Sequence, residues 1–162
     1  MASLRNHRGF GRLQRQRKDF IDGPDGVKIE VQEDPTLTGP PALNHLHYQV
    51  KDTAALRDWY VKTFGAAPRA RGTLDTTADI SKINLTFSPN REDEPRPDTK
   101  GRALDHVGFE VKNLEAFCKK LEANGVKFDV PYRKIPNLGI AVAFLTDPKG
   151  GYIELTEGLD TF

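Results

Sequence analysis

An α+β fold built from two βαβββ modules, curved around a polar pocket as one mixed sheet, is what this chain predicts. Three observations lead there: a repeated strand and helix segment, period-two alternation in the strands on either side, and turn signals between the later strands. The 162 residues are enough for one sizeable core.

The first copy of the repeat begins at His45. Leu46, Tyr48 and Val50 alternate with His45, His47 and Gln49, which gives a strand with one apolar and one polar face. Asp52 is placed to cap a helix whose stripe is Leu56, Trp59, Tyr60 and Phe64 and which stops at Gly65. Strand-like stretches follow near 67–73 and 83–87, and one strand of this copy is expected to be short or absent. The second copy repeats the plan. Val107, Phe109 and Val111 alternate with His106, Gly108 and Glu110, Asn113 caps, and Leu114, Phe117 and Leu121 form the stripe ahead of Gly125. In both copies the histidine stands seven residues before the cap. Strands are expected near 127–130, 139–145 and 152–156, divided by turns at Pro136-Asn137 and across 147–151. Between the copies, residues 88–103 are rich in proline and charge and are assigned as a linker.

The domain reading is accordingly a basic arm over 1–18, a hairpin plus linker over 19–42, and a modular domain over 43–158 with modules 43–90 and 104–158. The arm carries six cations and no acid, so that the rest of the chain holds 18 basic residues against 23 acidic ones. It is expected to be disordered; a single aromatic residue, Phe10, stands among its cations where RNA-binding surfaces interleave several, and His7 within it is given no role. Residues 20–33 parallel 144–157 at Phe20/Phe144, Pro24/Pro148, Gly26/Gly150, Ile29/Ile153, Glu30/Glu154 and Glu33/Glu157. They are therefore read as the closing hairpin of a further module. Glu30 should project from its strand as Glu154 does, and the segment should pair against a sheet edge in this chain or in a second copy.

Composition narrows the chemistry. Apolar residues make up 37% and charged residues 29%, an ordinary globular mixture, and no apolar run is long enough to span a bilayer. A cytoplasmic protein is expected. The single cysteine, Cys118, cannot form an internal disulfide and lies in an amphipathic run, so it is assigned as a packed thiol. Any metal must then be held by imidazole and oxygen.

Alternation puts His45 and His106 on the polar faces of their strands, and it puts Glu154 of Tyr152-Ile-Glu-Leu-Thr156 on the same side of the sheet. Two imidazoles and a carboxylate are the donor set that holds a divalent ion with positions left open for substrate oxygens. His47 shares that face as a substitute or supporting ligand, and Glu110 and Gln49 are expected to line the pocket. Tyr60 is assigned to the core, while Tyr132, Arg133 and Lys134 are placed beside a turn, the two cations read as solvated charge with contact to an anionic substrate as the alternative.

The paired modules, the His106-Val-Gly-Phe-Glu-Val111 strand and the run from Phe144 to Leu155 resemble the vicinal oxygen chelate superfamily, which includes glyoxalase I, extradiol dioxygenases and bleomycin resistance proteins. The resemblance covers residues 43–158 and implies ligands from the first and last strands of each module: His45, the inward residue of Ile83-Asn-Leu-Thr-Phe87, His106 and Glu154. It departs from the family at Asn84, where a carboxylate is common; three ligands are then expected, with Glu154 also the catalytic base. It implies a metalloenzyme using Fe2+, Mn2+, Ni2+ or Zn2+ on a small oxygen-bearing substrate, by dioxygenase-like or lyase/isomerase-like chemistry. The alternative is a metal-free binding or resistance protein of the same fold. The partner expected is a small molecule, not a membrane or a nucleic acid, and a homodimer is compatible with the resemblance.

Overall fold

The structure is a computed structural model that describes residues 17–90 and 96–159. Most of the basic arm, including His7, and part of the inter-module linker lie outside them. The chain divides into two compact units, residues 1–41 and 42–162.

The first unit holds a hairpin, β1 (Lys18–Asp22) and β2 (Lys28–Gln32), joined by a 3-10 turn over Pro24–Gly26. The two strands pair with each other as a two-stranded sheet. Glu30 stands opposite Phe20, and Ile29 opposite Ile21. Lys18 Nζ lies 3.8 Å from Glu30 Oε1. Ile21, Ile29 and Val31 share one face, and each is about half exposed.

The second unit contains two modules in tandem. In the first, β3 (His45–Val50) is followed by α1 (Thr53–Phe64), β4 (Ala67–Pro68), β5 (Thr77–Ile80) and β6 (Ile83–Pro89). These strands form a four-stranded sheet in the order β3-β6-β5-β4, with β3 and β6 parallel. In the second, β7 (His106–Glu110), α2 (Leu114–Ala123), β8 (Val130–Ile135), β9 (Ile140–Thr146) and β10 (Tyr152–Glu157) give the matching order β7-β10-β9-β8. The result is an α+β fold of two helices and ten strands among the described residues, with curved sheets that do not close.

Both helices start where a side chain accepts the first free amides. Asp52 accepts from Ala55 N at 2.9 Å and Asn113 from Ala116 N at 3.4 Å. Glu157, at the end of β10, reaches across to accept from Asn113 N and Leu114 N, both at 3.0 Å, and so ties the last strand to the start of α2. Gly65 ends α1 with φ of 71°, a left-handed conformation that costs glycine nothing.

One core joins the modules. Leu56, Tyr60 and Leu85 from the first are fully buried with Leu114, Leu121, Leu145, Ile153 and Leu155 from the second. Phe64 stacks on Phe109 across the junction at 5.2 Å. Cys118 is buried in this core, and burial pushes its thiol up to about 11, as suits a packing residue rather than a nucleophile.

Two strands differ from the sequence reading. β5 was not anticipated, and β8 lies at 130–135 instead of 127–130. The second shift has a visible cause: Pro131 occupies the register irregularity between Val130 and Arg133 on an edge strand, where its missing N–H breaks no ladder. Tyr132, Arg133 and Lys134 lie in β8, beside the turn over residues 136–139.

Candidate metal centre

His106 opens β7, and β10 runs beside it in parallel with Glu154 opposite Gly108. The alternation that buries Ile153 and Leu155 sends Glu154 to the face that His106 occupies. His106 Nε2 and Glu154 Oε2 stand 3.2 Å apart. Glycine at 108 leaves the carboxylate room, since even an added Cβ there would sit 3.9 Å from Glu154 Oε2.

The imidazole is held on its other side as well. Nδ1 is 2.7 Å from Asp105 Oδ1, and the other oxygen of Asp105 accepts from Gly101 N. The hydrogen bond from His106 first, and then the one from the Gly101 amide, holds the Asp105 carboxyl below its ordinary range. Phe144 and Tyr152 stack on one another at 5.3 Å and meet His106 edge-on at 6.0 and 6.3 Å. Lys100 Nζ lies 4.6 Å above the Tyr152 ring.

The separation of 3.2 Å fits a shared ion. Ligands bonded at about 2.0–2.2 Å and set at right angles lie roughly 3 Å apart. Two of the three residues expected as ligands are thus side by side.

His45 opens the equivalent strand of the first module. Its Nδ1 lies 3.1 Å from Asn44 Oδ1, and its ring is edge-on to His47 at 6.0 Å. The donor atoms of His45, His106 and Glu154 do not all lie within 4.8 Å of one another. His47 Nε2 is hydrogen bonded to Ser88 Oγ at 2.8 Å.

The register also resolves which residue of the first module matches Glu154. His106 stands opposite Tyr152, two residues before Glu154; His45 stands opposite Asn84, two residues before Thr86. Thr86, not Asn84, is the positional counterpart of Glu154. Neither is a carboxylate. Thr86 donates to Asn84 Oδ1 at 2.8 Å, and Asn84 donates to Asp79 Oδ1 at 2.7 Å. Arg69 donates to Asp79 Oδ2 at 2.8 Å. The Arg69 guanidinium first, and then Asn84, holds the Asp79 carboxyl low. Thr86, Asn84 and Asp79 thus form a chain of hydrogen bonds along β5 and β6, with the Asp79 carboxylate committed to a guanidinium.

The other polar residues singled out in the sequence have structural duties. Glu110 accepts from Thr156 Oγ1 at 2.7 Å and Gly158 N at 2.6 Å, anchoring the chain beyond β10. Gln49 accepts from Arg96 at 3.3 Å. Tyr60 is fully buried as expected, yet its hydroxyl donates to Asp147 Oδ2 at 3.0 Å and meets the Tyr48 hydroxyl at 3.0 Å. That link was not legible, because Asp147 reads in sequence only as part of a turn.

Comparison with known proteins identifies the family and the fold. A model of the Glyoxalase/Bleomycin resistance protein/Dioxygenase superfamily matches residues 42–155. The chain belongs to this superfamily. Glyoxalase I of Saccharomyces cerevisiae is 28% identical, aligned over 80% of this chain and 48% of that protein, so the chain spans about half the length of this curated relative. A glyoxalase/bleomycin resistance protein/dioxygenase from Nocardioides superposes with a TM-score of 0.59 at 16% identity, covering 78% of this chain and 89% of that one. A lactoylglutathione lyase from Agrobacterium tumefaciens gives 0.55 at 19%, covering 74% and 96%. At such identities the superpositions speak for the fold. No helix among the described residues is long and apolar enough to cross a membrane.

Proposed function

We propose that this superfamily member is a divalent-metal-dependent enzyme acting on a small oxygen-bearing substrate, with His106 and Glu154 as ligands and with His45, which does not stand within 4.8 Å of both in this structure, drawn in as the third. The observation that carries the reading is the facing pair of His106 Nε2 and Glu154 Oε2 at 3.2 Å, on adjacent strands of one sheet. An imidazole and a carboxylate suit Fe2+, Mn2+, Ni2+ or Zn2+. When bound, the ion supplies Lewis acidity to a substrate oxygen or oxygen pair.

The remaining work falls to the chain's own residues. Glu154 has its oxygens at the open side of the sheet and is the group to accept a proton from a substrate carbon or hydroxyl. His106 is braced by Asp105 and by the Phe144 and Tyr152 rings, so the pair keeps its separation while substrate enters. Of those two rings Tyr152 is buried beneath Lys100, and Phe144 is the one left partly exposed as an apolar wall for a substrate. The absence of a carboxylate at Asn84 and Thr86 limits the ligands to three, the pattern of the extradiol dioxygenases, and leaves Glu154 as the base.

Anaerobic purification followed by metal analysis tests the proposal. About one equivalent of a divalent ion is expected in the full chain, and His106→Ala together with Glu154→Ala should remove it. Full metal content in that double variant would overturn the site. A wild-type chain that takes up no ion from any of the four metals would favour a metal-free binding protein, a reading supported by the Thr86, Asn84 and Asp79 side chains, which are bonded to one another and to Arg69.

A further inference from the structure

The residue immediately before each strand histidine is the same kind of residue doing the same thing. Asn44 precedes His45 and Asp105 precedes His106. Each brings a side-chain oxygen to Nδ1 of its neighbour, at 3.1 Å for Asn44 and 2.7 Å for Asp105. This adjacency recurs at the repeat-equivalent position of both modules, and neither residue belongs to the proposed ligand set.

The proton on each ring can be located by elimination. An ionised carboxylate only accepts, so at Asp105 the donor must be His106 Nδ1–H. Glu154 competes for a proton at the far side of the ring, on Nε2. The contact to Asp105 is 2.7 Å and the one to Glu154 is 3.2 Å. Charge-assisted N–H···O bonds are about 2.7–2.9 Å long, so Asp105 wins. In the first module Arg71 fixes the orientation of the Asn44 amide, donating from Nη2 to Asn44 Oδ1 at 3.2 Å. A guanidinium can only donate, so the atom of Asn44 facing it is the oxygen. That same oxygen faces His45 Nδ1, which must therefore be the donor.

We propose that Asn44 and Asp105 are positioning residues that keep the proton on Nδ1 of His45 and His106, so that each imidazole offers Nε2 as its electron-pair donor. For the role in ion binding this rests on the metal reading above; for the location of the proton it does not. Each acceptor is itself fixed, Asn44 by Arg71 and Asp105 by the Gly101 amide, so ring orientation is set as well as the tautomer. The two modules differ in strength. Asp105 brings a charged acceptor at 2.7 Å, whereas Asn44 brings a neutral carbonyl oxygen at 3.1 Å.

The test uses the full chain, 15N-labelled at histidine and free of metal, in mildly alkaline buffer. Long-range proton–nitrogen correlation spectra should show Nδ1 protonated in His45 and His106. Asp105→Leu should take the proton off Nδ1 of His106 and leave His45 as it was, and Asn44→Leu should do the converse. Asp105→Asn, which copies the first module, should keep Nδ1 protonated. Calorimetric titration with Ni2+ should show affinity falling roughly 10- to 100-fold in Asp105→Leu and recovering in large part in Asp105→Asn. A His106 that keeps its Nδ1 proton in Asp105→Leu overturns the proposal, as does an Asp105→Asn chain as impaired as Asp105→Leu. Should Asp105→Leu fail to fold, Asn44→Leu with His45 decides by the same criterion. If the wild type binds no Ni2+ while the Nδ1 protons respond as described, the metal reading fails and the positioning roles stand.

Discussion

Tyr60→Phe removes one oxygen atom from the point where the two modules are pinned. The hydroxyl lies on α1 of the first module and donates to Asp147 Oδ2, in the β9–β10 turn of the second, at 3.0 Å. It also meets the Tyr48 hydroxyl at 3.0 Å. Tyr60 is fully buried and Asp147 is 4% exposed, so water cannot replace the lost proton without opening the core. Burial pushes the Tyr48 phenol up to about 12, which marks the pocket as poorly solvated. Losing a hydrogen bond while leaving a buried acceptor unsatisfied costs roughly 2–4 kcal/mol. For a chain of this size, 1 kcal/mol moves the melting midpoint by about 2–4 °C, so a fall of about 5–15 °C is expected. Differential scanning calorimetry measures it. Because the Tyr48 hydroxyl loses the same partner, Tyr48→Phe on top of Tyr60→Phe should cost less than the sum of the single changes, by at least about 0.5 kcal/mol. A Tyr60→Phe chain within about 0.5 kcal/mol of wild type would refute the reasoning, because surface-like substitutions fall in that range.

Asp147 also sets a pH dependence. Burial, the largest influence on it, raises its folded pKa above the ordinary value of 3.8, so its contribution to stability is fully present below that value and is lost as pH rises through the folded pKa. Asp147→Asn should flatten that part of the stability–pH curve, read from denaturant midpoints across the acid range. Glu157→Ala should strip α2 of the carboxylate that accepts from Asn113 N and Leu114 N, costing about 1–2 kcal/mol and speeding hydrogen exchange in its first turn. Removal of residues 1–35 deletes a hairpin with Ile21, Ile29 and Val31 half exposed on one face. A changed oligomeric state by analytical ultracentrifugation is expected, with metal content intact; metal lost with the hairpin would mean that Glu30 belongs to the centre.

What could be read from the sequence is what rests on local periodicity. Both helices, their caps at Asp52 and Asn113 and the strand alternation around His45 and His106 follow from spacing alone, and the core residues Leu56, Leu114 and Leu121 lie where the stripes put them. Position along an edge strand was less legible. Pro131 usually argues against a strand, and it was the edge location of β8, a tertiary fact, that made it tolerable. Side-chain chemistry across long sequence separations was least legible. The Tyr60 contact with Asp147 spans 87 residues and the Glu157 contact with Leu114 spans 43, and neither partner carries a local mark of its role.

The placement of Asn84 shows a different kind of limit. Sequence could say that one residue of Ile83-Asn-Leu-Thr-Phe87 faces the polar side opposite the first strand; alternation allows two, Asn84 and Thr86, and only the parallel register chooses between them. The hairpin of the first unit and the last hairpin of the second module share a register. Glu30 stands opposite Phe20 and Ile29 opposite Ile21, just as Glu154 stands opposite Phe144 and Ile153 opposite Leu145. An antiparallel pair could slip by two residues and keep its faces, so identical register at both pairs is not forced by alternation. It is the outcome expected if the coincidences in sequence reflect one structural unit used twice. In the second module that unit carries its carboxylate beside a histidine strand, covers its apolar face with α2 and caps that helix with Glu157. The hairpin has the counterparts of all three features in Glu30, in the exposed Ile21, Ile29 and Val31, and in Glu33. An exposed apolar face on a separate compact unit is a surface for association, which is why removing it should change association before it changes the fold of residues 42–162.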